Sequence, residues 1–518
     1  FAANFTIGAN FEACSISVTN NAVVSVTSGF NVNLNGAIAV ATGSTFTLNN
    51  NANLYQADAT AVNTGNVVVR RQSNPLMRFD YTLWSSPVAG QGLYAFSPLT
   101  FANRFYTYNT ATNFLNNSSL GMNVTGTNAA GVNGTDANNV PFGTGKGYLI
   151  RLPYNHPTAP VVWNGVFNGT PNNGTKTVTL ANAGTEQQFN MVGNPYPSPI
   201  SIAQFAADNT NNIEPTLYFW RKTNNAASPT YCTWNTTSGF FGDNGEAYTE
   251  SPNGVIQTGQ GFFVEAKDGA TSLTFNNTQR ITNNANQFFR SATATPATQA
   301  DGVWLNLTGT GAAFSQAVVG YFADATLGAD AYDSKYFNDG EIALTMVIGS
   351  TDYTIQGRPS FQATDVVPLN YKVTTAGNYT FAIDHVQGLF TGGAQAIFIK
   401  DNQDGSYHNL TTPYTFASAA GTFANRFELV YQTALATNDN SFTANNINVI
   451  KQQNDVVVNT GSAMMKEVTI YDIRGRVLVA KKGINASETR INVGTTNQVL
   501  VVQVTTVDGV KASKKVVN

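Results

Sequence analysis

Ile16-Ser17-Val18-Thr19-Asn20-Asn21-Ala22-Val23-Val24-Ser25-Val26 returns at an offset of 22 residues as Ile38-Ala39-Val40-Ala41-Thr42-Gly43-Ser44-Thr45-Phe46-Thr47-Leu48. Val32 lines up in the same way with Leu54, and Leu34 lies two residues further along the same strand. Within each repeat, apolar pairs fall about eight residues apart, separated by turn residues such as Asn20-Asn21, Ser28-Gly29, Asn35-Gly36 and Thr42-Gly43. Short strands punctuated in this way, at a fixed period, predict rungs of a parallel β-helix. A β-sandwich of evenly spaced hairpins is the competing reading. One rung cannot bury its own apolar face, and about three rungs are marginal alone. The solenoid end, residues 1–75, is therefore expected either to continue upstream of Phe1 or to be capped by the segment C-terminal to it.

A longer duplication comes next. Phe79-Asp80-Tyr81-Thr82-Leu83-Trp84 is echoed by Phe189-Asn190-Met191-Val192, Phe105-Tyr106-Thr107-Tyr108 by Leu217-Tyr218-Phe219-Trp220, and Gly145-Lys146-Gly147-Tyr148 by Gly259-Gln260-Gly261-Phe262. The offsets, about 108 to 114, predict two copies of one β-rich unit, 76–186 and 187–296, packed as a pseudo-symmetric pair. Each Gly-x-Gly runs directly into an aromatic strand. A phosphate loop needs a helix there, so a tight turn is the expectation.

Residues 297–434 alternate through Val303-Trp304-Leu305, Gln316-Ala317-Val318-Val319, Tyr379-Thr380-Phe381 and Arg426-Phe427-Glu428-Leu429, the pattern of a jelly-roll-like β-sandwich. Residues 435–442 read as a linker. The last module, 443–518, reads as a small antiparallel sandwich. The fold class is all-β throughout.

Composition agrees. Charged residues make up 11% of the 518, less than half of the ~25% usual in globular proteins. Net charge is −3 with no basic block, which removes nucleic acid as a partner. No run reaches the roughly 20 apolar residues of a spanning helix, so the chain reads as soluble. It opens at Phe1 without an initiator Met, as a processed protein or a fragment does. Cys14 and Cys232 are either a structural disulfide or two unpaired thiols.

In the last module, Val468-Thr469-Ile470-Tyr471-Asp472-Ile473-Arg474-Gly475-Arg476-Val477-Leu478 resembles the strand, Tyr-Asp, Gly-Arg, strand hairpin of type A sorting domains carried by type IX secretion cargo of Bacteroidetes. Val504-Thr505-Thr506-Val507-Asp508-Gly509-Val510 and the ending Lys514-Lys515-Val516-Val517-Asn518 are similar to that family's last hairpin and terminal strand. The family's usual Pro-Gly-x-Tyr approach is replaced here by Thr496-Asn497-Gln498-Val499-Leu500. More loosely, the upstream segments resemble those of large surface proteins, including gliding adhesins.

The resemblance implies a cargo exported to the cell surface, crossing the outer membrane through a giant translocon while a shuttle barrel grips its sorting domain. It singles out Tyr471, Asp472, Gly475, Arg476, Asp508, Gly509, Lys514, Lys515, Val516 and Val517 as sorting and receptor-contact residues. The upstream part is expected to be structural or adhesive, with surface polysaccharide as a second partner.

Catalysis is not expected. The three histidines, His156, His385 and His408, are far apart in sequence, and neither a Gly-x-Ser-x-Gly elbow nor a His-Glu-x-x-His motif occurs. A carbohydrate-active enzyme would need a cleft with converging carboxylates. A carbohydrate-binding protein would need an exposed aromatic platform, for which Trp84, Trp220, Trp234 and Trp304 are candidates. No cofactor is expected. Asp401-Asn402-Gln403-Asp404-Gly405 looks like half a calcium loop without its distal Glu, and Asp330, Asp333 and Asp339 form a second acidic group; solvated Asx turns are the simpler reading of both.

Overall fold

The computed structural model describes all residues except 123, 128–132, 185–186, 222, 224–226, 228, 247–250, 283–299, 434–442, 453, 462, 495–497, 508 and 518. The expected linker, 435–442, and the junction near 296 lie outside the described residues. The chain forms two compact units, Phe1–Gln432 and Thr433–Asn518. The fold is all-β, and the longest α-helix among the described residues is Ile202–Asp208.

The 22-residue period is a rung. Val23–Val26 pairs in parallel with Thr45–Leu48, Asn31–Leu34 with Asn53–Gln56, and Ile16–Val18 with Ile38–Val40 in the register Ile16↔Ile38. Hairpins would pair antiparallel, so the β-helix reading holds. Val24, Val26, Val32, Ile38, Phe46, Leu48 and Leu54 point inward, each completely buried. Asn20 and Asn21 turn the corner between two strands at φ of 56° and 57°, a left-handed conformation that Asn tolerates.

The downstream end of the solenoid is capped by the duplicated pair. Val67–Leu76 adds to Thr45–Leu48 in parallel and then pairs antiparallel with Val161–Pro171, so one sheet runs on without a break. On another face, the Leu54 amide donates to the Pro197 carbonyl at 2.8 Å. The solenoid interior and the core of the duplicated pair are one hydrophobic cluster.

Both copies of the duplication build the same sheet. In the first, the order in space is Tyr81–Trp84, Tyr148–Arg151, Phe105–Asn109, Phe114–Asn116. In the second it is Phe189–Gly193, Gly261–Ala266, Ile213–Trp220, Tyr231–Asn235, with Phe241–Gly242 added at the edge. The copies exchange backbone hydrogen bonds reciprocally: the Ser85 amide donates to the Gly259 carbonyl, and the Gly193 amide to the Gly145 carbonyl, both at 2.9 Å. Gly145 and Gly259 take φ of +71° and +74° and lead into strands, as a tight turn requires.

From Asp301 to Val430 one long sheet rolls around its own core. Tyr414–Ser418 closes one end by pairing with Gly377–Gln387, yet the next strand, Gly421–Val430, lies in the other half against Val366–Val373. The two halves therefore face each other, and the Phe416 and Phe427 rings meet at 4.6 Å. Phe314–Tyr321 and Thr351–Arg358 pair in parallel, which alternation alone does not foretell.

The Thr433–Asn518 unit is a two-sheet sandwich. Asn448–Gln452, Asp455–Asn459 and Glu488–Asn492 form one sheet. Val477–Ala486, Met465–Asp472, Val499–Thr506 and Lys511–Val517, in that order, form the other. Val456, Val458, Val468, Ile470, Leu500, Val502 and Val504 fill the space between them.

Candidate functional site

The Asp472–Arg476 turn joins two neighbouring strands of the four-stranded sheet. The Asp472 amide donates to the Arg476 carbonyl, and the Gly475 amide to the Asp472 carbonyl, each at 3.0 Å. The Asp472 carboxylate accepts from the Arg474 and Arg476 amides at 2.9 and 3.0 Å and from Arg476 Nε at 2.7 Å. Gly475 sits at φ +82°, where any other residue would be strained. The side chains differ sharply in exposure: 3% for Asp472 and 72% for Arg476. Asp472 is thus spent inside the turn, and Arg476 is what the turn presents.

The hydrogen bond from Arg476, with the backbone amides, holds the Asp472 carboxyl below its usual range. A carboxyl whose folded-state pKa is depressed contributes stability above its unfolded value of about 3.9, lost as pH falls through the folded value. On acidification below about pH 4, the Arg474 and Arg476 amides should lose hydrogen-exchange protection before the Val468–Ile470 core strand does. In Asp472→Asn that acid-dependent step should vanish. A variant with an unchanged acid profile would show that the turn does not depend on the carboxylate.

Among the described residues Lys511–Val517 is an edge strand, paired on one side only, with Val499–Thr506. Lys514 Nζ donates to the Ile447 carbonyl at 2.6 Å and ties the edge to the start of the other sheet. Val516 packs on the core, while Lys515 and Val517 face out. Register brings the two groups together: Asp472 lies opposite Leu500 and Leu500 opposite Val516, just as Tyr471 lies opposite Val501 and Val501 opposite Lys515. Tyr471, Asp472, Gly475, Arg476, Lys515, Val516 and Val517 therefore converge on one end of the sheet. Gly509 turns the hairpin at the opposite end, and Asp508 lies outside the described residues. Ile473 and Val477, 69% and 56% exposed, add an apolar rim at the same end as the turn. Sequence reasoning passed over them because an Ile inside a turn looks like a strand residue; its position between Asp472 and Gly475 was the signal.

The other candidates are engaged structurally. His156 Nε2 lies 2.9 Å from the Leu76 carbonyl oxygen, His385 stacks on Trp304 at 4.1 Å, and His408 on Tyr414 at 3.6 Å. Asp401 is paired with Arg426 at 3.0 Å and accepts from the Gln403 amide, as in an Asx turn. Asp333 accepts from the Asp330 and Gly357 amides, Asp330 from Thr326 and Tyr332, and Asp339 from Thr230. Cys14 and Cys232 are both unpaired. Trp84 and Trp304 are core residues, 1% and 2% exposed, so neither is part of a platform.

A cleft of about 650 Å³ lies between the second copy and the sandwich, with Glu214, Glu265, Asp330, Asp333 and Lys335 on its walls. Burial raises Glu265 and pushes Asp333 up to about 6. A hydrolase needs two carboxylates free to face one bond. Here Glu265 is paired with Lys335, and Asp330 and Asp333 are held as above, which leaves Glu214.

Residues 2–431 match the family described as "Domain of unknown function (DUF8693)", and residues 435–518 that described as "Domain of unknown function (DUF8694)". The two ranges meet where the two compact units do. No curated protein matches the chain. Among solved structures, the "Central Fibronectin-III array of RIM-binding protein" is similar at 9% identity and a TM-score of 0.12, over 38% of this chain and 96% of that one.

Proposed function

The chain belongs to the family described as Domain of unknown function (DUF8693), and we propose that it is a non-enzymatic cell-surface protein of adhesive or structural role, exported by type IX secretion. In this reading the Thr433–Asn518 unit is the sorting signal, gripped by the outer-membrane shuttle barrel and handed to the translocon. The observation that carries it is the convergence of the Asp472–Arg476 turn and the terminal edge strand on one end of a separate small sandwich.

An edge strand offers unpaired backbone donors and acceptors to a partner, and flanking side chains supply specificity. Lys515 and Arg476 give that end positive charge, and Ile473, Val477 and Val517 give it apolar contact. The upstream unit supports the adhesive role by its build: a capped solenoid and a sandwich joined through a duplicated pair, with few charges and many paired backbone groups.

The test is co-purification from outer membranes of the intact chain and of a version lacking residues 443–518, with the captured proteins identified by mass spectrometry. The intact chain should bring down an outer-membrane barrel, and the shortened one should not. Equal recovery with both, or with neither, would reduce the terminal unit to an ordinary β domain.

A further inference from the structure

The two copies of the duplication carry opposite charge at one equivalent position. In the second copy, Phe189 lies directly across from Glu265; in the first, Tyr81 lies across from Arg151. The second copy's face is occupied by a segment of the same chain. Lys335 pairs with Glu265, and two residues on, the Phe337 ring stacks on Phe189 at 4.1 Å and meets Tyr218 at 5.1 Å. A cation and a flat ring thus fill a face built from a carboxylate and rings. In the first copy the face is built from rings and cations; its inner part packs on the second copy, the Tyr108 and Phe263 rings meeting at 4.9 Å, and among the described residues no cation–carboxylate pair repeats the docking of Lys335 on Glu265.

The first copy's face is cationic and aromatic. The Tyr81 and Tyr106 rings meet edge-on at 5.9 Å, and Arg104 donates to the Tyr106 hydroxyl at 3.1 Å. The Arg151 guanidinium lies 5.7 Å from the Phe79 ring centre and 5.6 Å from that of Phe101, while Arg78 covers Phe79 at 4.8 Å. Phe79 is 44% exposed. Among the described residues none of Arg78, Arg104 and Arg151 takes part in an ion pair, whereas Arg358, Arg426 and Arg476 each hold a carboxylate. The Nε atoms of Arg78 and Arg151 are buried without a hydrogen-bond partner. Three guanidinium groups with no carboxylate partner among the described residues, gathered on one face, stand out in a chain of net charge −3.

We propose that this face binds an acidic saccharide, with a uronate carboxylate held between Arg104 and Arg151 and a sugar ring laid on Phe79. Guanidinium groups take carboxylates through paired, charge-assisted bonds. The Tyr81 and Tyr106 hydroxyls serve ring hydroxyls, and the exposed aromatic face takes the apolar face of the sugar. Cations spaced across the patch favour a polymer carrying a carboxylate on successive rings. The inference deepens the adhesive reading by naming its ligand class and its site, and it rests on that reading for the surface setting alone.

The experiment uses the purified full chain, so its outcome is separable from that of the export test. Binding is measured by affinity electrophoresis and calorimetry with polygalacturonate, its carboxyl-reduced counterpart, and polyglutamate as the acidic peptide. The chain should retain polygalacturonate and bind the reduced polymer and the peptide at least roughly tenfold more weakly. Arg151→Gln and Arg104→Gln should each weaken binding about tenfold or more, and Phe79→Ala should weaken it while leaving its salt dependence unchanged. Arg151→Lys, which keeps the charge but loses the paired geometry, should fall between. Thermal midpoints of all variants are recorded, and Phe79→Ala at an exposed ring and Arg104→Gln at a half-buried guanidinium decide the case should Arg151→Gln not fold. Absence of binding, binding unaffected by the arginine changes, or equal binding of polyglutamate would overturn the proposal.

Discussion

Replacing Arg280 by alanine is expected to destabilise the Phe1–Gln432 unit by about 3–5 kcal/mol and to loosen the solenoid first. Arg280 is 4% exposed and joins three parts of the unit: its guanidinium donates to the Leu54 carbonyl of the last rung at 2.5 Å, to Asn173 Oδ1 of the first copy at 2.9 Å, and to Ser198 Oγ of the second copy at 2.9 Å. The Tyr196 ring lies 4.9 Å away on its flat side. Burial lowers its pKa to about 10, so the group stays protonated at neutral pH. The cation is solvated entirely by neutral acceptors and ring faces. Alanine leaves those acceptors unsatisfied around a cavity, and lysine, a point donor on a flexible stem, cannot reach all three. A solenoid of about three rungs depends on its cap. Hydrogen exchange should therefore accelerate across Thr45–Gln56 well before it does across Asp301–Val430. A loss below about 1 kcal/mol, or uniform acceleration across the unit, would show that other contacts carry the cap.

The parts of this fold that were legible in the sequence are those whose partner sits at a fixed sequence distance. Ile16 finds Ile38 because parallel rungs repeat at the chain's own period, and the Gly145 and Gly259 turns announce the duplication by recurring. The sandwich was legible as strands but not as an order. Alternation says which side chains of Phe314–Tyr321 face inward, and nothing in it says that Thr351–Arg358 will lie alongside in parallel. The same division runs through the candidate site. The Asp472–Arg476 turn is local, and its residue types declare it. Its meeting with Val516 needs the register of a third strand, Val499–Thr506, lying between them. The platform on the first copy escaped notice for a further reason. A search for tryptophan finds Trp84 and Trp304 in the core and Trp220 and Trp234 half-buried, whereas this face is made by the exposed ring of Phe79 with the half-buried rings of Tyr81 and Tyr106, drawn from two strands and a preceding turn.

Gly147→Ala and Gly261→Ala are each expected to lower the stability of the Phe1–Gln432 unit by about 2 kcal/mol, and together by distinctly less than the sum. These are the second glycines of the two Gly-x-Gly elements, and their role differs from that of Gly145 and Gly259. A Cβ on Gly261 would lie 2.7 Å from Leu83 Cγ and 3.2 Å from the Leu83 backbone; one on Gly147 would lie 2.8 Å from the Val192 carbonyl oxygen and 2.9 Å from Met191 Cγ. Each added methyl therefore pushes one copy away from the first strand of the other. Overpacking of this kind costs about 1–3 kcal/mol, and reduced freedom of the unfolded chain returns only about 0.4–1 kcal/mol. Because the contacts are reciprocal, both substitutions open the same interface, and the second finds it already parted. Denaturant midpoints of the two single variants and the double variant form a cycle whose coupling energy measures that sharing. Full additivity would mean that the copies are held as two independent contacts. A shortfall of about 1 kcal/mol or more would mean that the duplicated pair behaves as one packing unit, which the reciprocal bonds between Ser85 and Gly259 and between Gly193 and Gly145 lead one to expect.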